Sequence, residues 1–164
     1  MKRHSTLPLP AHRHLPGSGG AADMVPLDAA KGDDANAFRY GADLFNHGYF
    51  WEAHEVWEAV WLASPPNSRR RQGVHSLIQM ANACLKLAMG RCNAFRRLAA
   101  EVESLAPGPD LEVEGLDVAA ACRQFSGFVA GVPDAGEAIE RPERRAGFPV
   151  ISLAHDQARN GAAR

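Results

Sequence analysis

Apolar residues return along this chain every three or four positions, in blocks closed by proline or glycine, and that rhythm predicts helices. Phe38, Gly41, Ala42 and Phe45 recur at i, i+3, i+4 and i+7, with Leu44 widening the stripe. Asp33 or Asp34 can cap this first helix. Asn46-His47-Gly48 ends it, because Gly48 suits the left-handed conformation that closes many helices. A second helix is predicted over residues 49–63 and stops at Ser64-Pro65-Pro66, since neither proline can continue the ladder. With almost no residues between the two, the second must fold back sharply on the first.

Asn67 or Ser68 opens the longest helix, predicted to run to Met89 with Gly90 behind it. Val74, Leu77, Ile78, Ala81, Cys84, Leu85 and Ala88 give it a stripe broad enough to be the domain's central packing surface. A fourth helix over residues 93–105 repeats the pattern with Phe95, Leu98, Ala99, Val102 and Leu105, and Pro107-Gly108-Pro109 breaks it. A fifth, over residues 117–130, is capped by Asp117 and turns Val118, Ala121, Cys122, Phe125 and Val129 inward. After a polar linker, the apolar run from Phe148 to Leu153 is too short for a helix and is expected to dock as an extended strap. The expected fold is all-α: an antiparallel bundle of about five helices over residues 33–153, with a short extended C-terminal strap. No repeat of fixed period is present, which disfavours a solenoid.

Composition changes the picture mainly at the ends. Residues 1–32 are rich in Pro, Gly, His and Ala with no apolar period, so a disordered leader without apolar anchors is expected, and residues 154–164 read as a frayed tail. His4, His12 and His14 are accordingly expected to be solvated rather than ligands. The chain's 164 residues suit one domain, and its 46% hydrophobic share is ordinary for a globular protein. A net charge of −1 supplies no field to gather nucleic acid or anionic lipid. Cys84, Cys92 and Cys122 follow no disulfide or zinc spacing and read as small apolar residues in a reducing compartment. The basic start is followed by prolines and histidines instead of a signal peptide's apolar run, and no apolar run approaches membrane-spanning length, so a cytoplasmic protein is expected.

The chemically unusual stretch is Tyr49 to Trp61, YFWEAHEVWEAVW, which holds all three tryptophans. At about 100° per residue, Phe50, Ala53, Trp57 and Val60 share one arc, His54 and Trp61 stand at its edge, and Glu58 lies just past them. His54 and Glu58 are therefore one turn apart on a ridge, close enough to bind each other or one metal ion. Glu55 is about 100° from His54, and Glu52 lies farther round, toward the expected solvent side, so that Glu52→Ala is expected to be nearly silent. His-Glu-x-x-Glu departs from the zinc-protease His-Glu-x-x-His at Glu58, and Trp51 stands where a di-iron Glu-x-x-His motif needs its glutamate. On the third helix His75, Gln79 and Asn82 lie on the polar arc, with His75 and Asn82 nearest its apolar border.

The run Leu44-Phe45-Asn46-His47-Gly48-Tyr49-Phe50-Trp51-Glu52-Ala53-His54-Glu55-Val56-Trp57-Glu58, with Trp61, closely resembles the signature of domain-of-unknown-function family 309, a set of small bacterial and archaeal helical proteins. That family is marked by His-x-x-x-Glu-x-x-Trp/Tyr, here His54, Glu58 and Trp61. The stretch from Gln72 to Ala81 is similar to the family's next helix, and Pro149 to Leu153 is similar to its ending. The resemblance implies a helical domain with a His/Glu motif suspected of binding metal, and it brings no activity.

Two function classes follow. In the first, His54 and Glu58 act as an acid/base pair or hold a divalent metal ion, with Glu55, His75 and Gln79 as further ligand candidates, and work on a small substrate. In the second, the tryptophan-rich helix is the binding face of a non-catalytic interaction module for a protein partner or of a homodimer. One motif supplies too few ligands for an ordinary catalytic zinc, so the metal reading needs groups from a neighbouring helix.

Overall fold

The computed structural model describes residues 3–17, 34–105, 108–133 and 148–154. Five helices run through these residues: α1 (Asp34–Asn46), α2 (Phe50–Ala63), α3 (Arg69–Ala88), α4 (Cys92–Ser104) and α5 (Val118–Ala130). α1 to α4 pack as successive neighbours, and α5 closes against α3 and α4. The all-α expectation holds. The expected caps Asp33 and Asp34, the linker over residues 134–147 and the tail over residues 155–164 lie outside the described residues or side chains.

Local chemistry sets the boundaries. Gly48, at φ +81°, closes α1 in a paired turn: its N–H donates to the Phe45 carbonyl at 2.9 Å, and the Tyr49 N–H donates to Leu44 at 2.9 Å. This sharp turn lays α2 directly against α1. Ser68 caps α3, its hydroxyl accepting from the Arg71 N–H at 3.1 Å, and Asp117 caps α5 by accepting from Ala120 N–H at 2.7 Å. At the far end of α2, the Arg71 guanidinium donates to the Trp61 and Ser64 carbonyls, each at 2.9 Å, so a cation from α3 binds the carbonyl end of the helix.

The core is built on Trp57. It is fully buried, its indole N–H donates to the Phe38 carbonyl at 3.1 Å, and Phe38 and Phe45 flank the ring. Gly41 makes room for it, since a Cβ there would stand 2.3 Å from Trp57 Nε1. The arc read from the sequence, Phe50, Ala53, Trp57 and Val60, is buried throughout.

Two features lie outside the helical pattern. Strands β1 (Glu112–Val113) and β2 (Leu116–Asp117) form a two-residue hairpin through Glu114 and Gly115, both at positive φ. Leu153 bridges to Leu116, and the Asp117 N–H donates to the Ser152 carbonyl at 3.1 Å, so the C-terminal strap extends this hairpin. Asn46 holds the strap from the other side, its amide exchanging two hydrogen bonds with the Ile151 backbone at 2.8 and 2.9 Å.

The second feature corrects the sequence reading of the N-terminal residues. Residues 3–17 lie along the bundle, with Leu7, Leu9 and Leu15 packed against the core. The fully buried carboxylate of Asp43 accepts from His4 N–H at 2.7 Å, Ser5 N–H at 2.9 Å and the Ser5 hydroxyl at 2.7 Å. Tyr40 donates to the Pro8 carbonyl at 2.8 Å, and burial pushes its phenol pKa upward. His4 is not solvated as expected: its ring lies 3.0 Å from the Ile151 carbonyl.

Candidate functional site

The exposed ridge of α2 carries the site. His54 Nε2 stands 3.7 Å from a Glu58 oxygen and 3.9 Å from a Glu55 oxygen. One donor atom from each residue can be chosen so that all three lie within 4.8 Å of one another, the spacing of ligands around one metal ion. The imidazole is mostly covered, at 18% side-chain exposure, while Glu55 and Glu58 keep 35% and 51%. The site is thus open on its carboxylate side and walled on its imidazole side. Part of that wall is Trp51, stacked on His54 with ring centroids 6.1 Å apart and an interplanar angle of 24°. The His54 Nδ1 atom is buried without a hydrogen-bond partner, which leaves Nε2 as the nitrogen facing the carboxylates.

His75 and Gln79 stand elsewhere. The Gln79 amide and His75 Nε2 lie 3.2 Å apart, one turn from each other on α3, and the His75 ring packs on Trp61 at 5.9 Å. The Arg71 guanidinium sits 3.8 Å from the centre of the Trp61 ring. Among the described residues, His54, Glu55 and Glu58 form the group with metal-ligand spacing, and His75 is not a member of it. The ridge of His54, Glu58 and Trp61 therefore meets two environments, an acidic one at the first turn and an Arg71/His75 cleft at the second.

Cysteine thiolates are poor candidates to extend the site. Burial holds the Cys84 thiol far above its ordinary range and pushes Cys122 up to about 11, so both stay protonated near neutrality.

Residues 38–98 match the family model described as "Domain of unknown function (DUF309)". That stretch is similar to the family. The matched stretch holds α2, α3 and all of His54, Glu55, Glu58, His75 and Gln79, so every residue of the candidate site lies within it. No match was found among curated proteins. Among the described residues, no helix is long and apolar enough to cross a membrane.

Sequence reasoning missed two carboxylates beside this site. Glu52 was expected on the solvent side, yet it is 1% exposed. Residues 3–17 cover its face of α2, and Glu52 Oε1 accepts the His14 N–H at 2.7 Å. Asp43 is the other, and its placement at the end of a buried helix stripe was the available signal. Both accept backbone N–H groups of the N-terminal segment, Glu52 through Oε1 alone while its Oε2 is buried without a hydrogen-bond partner, and both anchor that segment.

Proposed function

We propose that this chain binds one divalent metal ion through His54 Nε2 and a carboxylate oxygen from each of Glu55 and Glu58. The observation that carries the reading is the convergence of those three donors within 4.8 Å on one face of α2. One imidazole with two carboxylates is a mixed N/O set suited to zinc, manganese or ferrous iron rather than to thiophilic metals. Three ligands on a partly exposed ridge leave coordination positions for water or a small substrate. An ion held there would lower the pKa of bound water and polarise a carbonyl or phosphoryl oxygen. The chain's own contribution is positioning: Trp51 fixes the imidazole plane, and the helix fixes both carboxylates at neighbouring turns.

The test is a titration of tag-free protein with Zn²⁺, Mn²⁺ and Fe²⁺, followed by calorimetry and thermal shift. Wild type should bind one equivalent, and the double variant His54→Gln/Glu58→Gln should lose it while keeping its unfolding midpoint. Equal binding by both proteins would refute the assignment.

A second reading has its own observation. Leu62, on the same helix, is 66% exposed, and Ala59 and Ala63 beside it are exposed too. This strip, rather than the buried Trp57, would be the contact face of an interaction module or homodimer. A dimer by sedimentation that Leu62→Glu dissociates would favour it.

A further inference from the structure

A cavity of about 320 Å³ lies between the N-terminal segment, the start of α2 and the end of α3, and none of its lining residues belongs to the His54/Glu55/Glu58 group. Its apolar surface comes from Phe50, Leu85, Ala88 and Phe148, with Leu15 from the N-terminal segment. Among the described residues its ionisable lining is Arg13 and His14, and no carboxylate lines it. A pocket whose walls are carbon and whose polar groups are donors selects a particular chemistry: an apolar body ending in an anion.

Arg13 is held for that task. One of its terminal nitrogens donates to the His47 carbonyl at 2.8 Å, and its guanidinium carbon stands 5.3 Å from the centre of the Tyr49 ring. The group also lies across Gly48, so close that a Cβ there would come within 3.2 Å of the guanidinium carbon. The hydrogen bond and the ring contact orient the fork, though the side chain is exposed, and leave further N–H groups for an acceptor. A planar guanidinium fixed in this way matches a carboxylate, which it can bind through two parallel hydrogen bonds. His14 stands beside it on the rim, its backbone N–H committed to Glu52 and its ring 5.2 Å from that of Trp51.

We propose that this cavity binds a small apolar carboxylate, with Arg13 on the carboxylate and Phe50, Leu85, Ala88 and Phe148 around the hydrocarbon. At ~30 Å³ per water-sized volume, the cavity suits a ligand of roughly ten non-hydrogen atoms. Octanoate has that size and serves as the probe, with octan-1-ol and octylammonium as chain-matched neutral and cationic controls.

The experiment is calorimetry and thermal shift on the full chain with these three compounds, using wild type, Arg13→Gln and Ala88→Trp. Wild type should bind octanoate about tenfold more tightly than octan-1-ol, and octylammonium most weakly. Arg13→Gln should bring octanoate down to the affinity of the alcohol, while Ala88→Trp, which fills the cavity, should remove binding of both. Circular dichroism of each unliganded variant confirms that it is folded. Failure of all three compounds to bind wild type would overturn the proposal. So would equal affinity for octanoate and octylammonium, or unchanged octanoate binding by either folded variant. Repeating the titration with Glu58→Gln separates this site from the metal site, because octanoate binding should not change there.

Discussion

Among the described side chains, four carboxylates stand on α1 and α2, and they fall into two pairs with opposite fates. Asp43 and Glu52 are 0% and 1% exposed and accept hydrogen bonds from the backbone of residues 3–17. Glu55 and Glu58 are partly exposed and face one imidazole at distances too long for a hydrogen bond. Residue type is the same and the scaffold is shared. What differs is burial under the N-terminal segment: the first pair accepts the chain's own N–H groups, Glu52 through Oε1 alone with Oε2 buried and unpartnered, and the second keeps lone pairs turned toward a common point. A carboxylate buried against the chain's own N–H groups holds a fold together, whereas an open one can hold a ligand.

This contrast can be tested by substitution, with unfolding free energy as one readout and metal binding as the other. The largest stability loss should come from the ring at the centre of the buried face. Trp57→Ala should cost about 3–5 kcal/mol in denaturant unfolding, because Gly41, Phe38 and Phe45 are shaped around the indole and leave a cavity when it goes. Asp43→Ala should come next, at about 1.5–3 kcal/mol, since it removes the acceptor for His4 and Ser5. Glu52→Ala should lose about 1–2 kcal/mol, reversing the near silence that the helical wheel implies, because its anchor is a single hydrogen bond to His14. In both variants trypsin should cut the Arg13–His14 bond faster than in wild type, and unchanged cleavage would mean that these carboxylates do not hold the segment. Glu55→Gln/Glu58→Gln should change stability by no more than about 0.5 kcal/mol, as expected for exposed ion pairs, yet abolish the metal response.

The half of this contrast that was legible beforehand is the half that helical period encodes. Phe50, Ala53, Trp57 and Val60 are buried as their 3.6-residue spacing requires, and His54 and Glu58 stand at the edge of that arc. Glu52 was misplaced because a wheel distinguishes the bundle from everything else, and the cover over Glu52 is a segment without apolar period. That segment is held largely by backbone N–H groups, which composition does not register, and by three leucines spaced among prolines and histidines. The hairpin escaped notice for a similar reason: Glu114-Gly115 makes the left-handed turn that Asn-Gly usually announces. His75 and Gln79 were chosen by their arc on α3, but a wheel carries no depth, and the ring of Trp61 is the neighbour His75 meets.

The most direct measurement of the open pair reads the imidazoles themselves. Nitrogen-15 NMR of the side chains follows each of the seven histidines during a Zn²⁺ titration. The His54 Nε2 resonance should move to a metal-bound position at one equivalent while His14, His47 and His75 stay in place, and Glu55→Gln/Glu58→Gln should remove the shift. An unmoved His54 resonance at saturating metal, or one that shifts equally in the double variant, would contradict the proposed site.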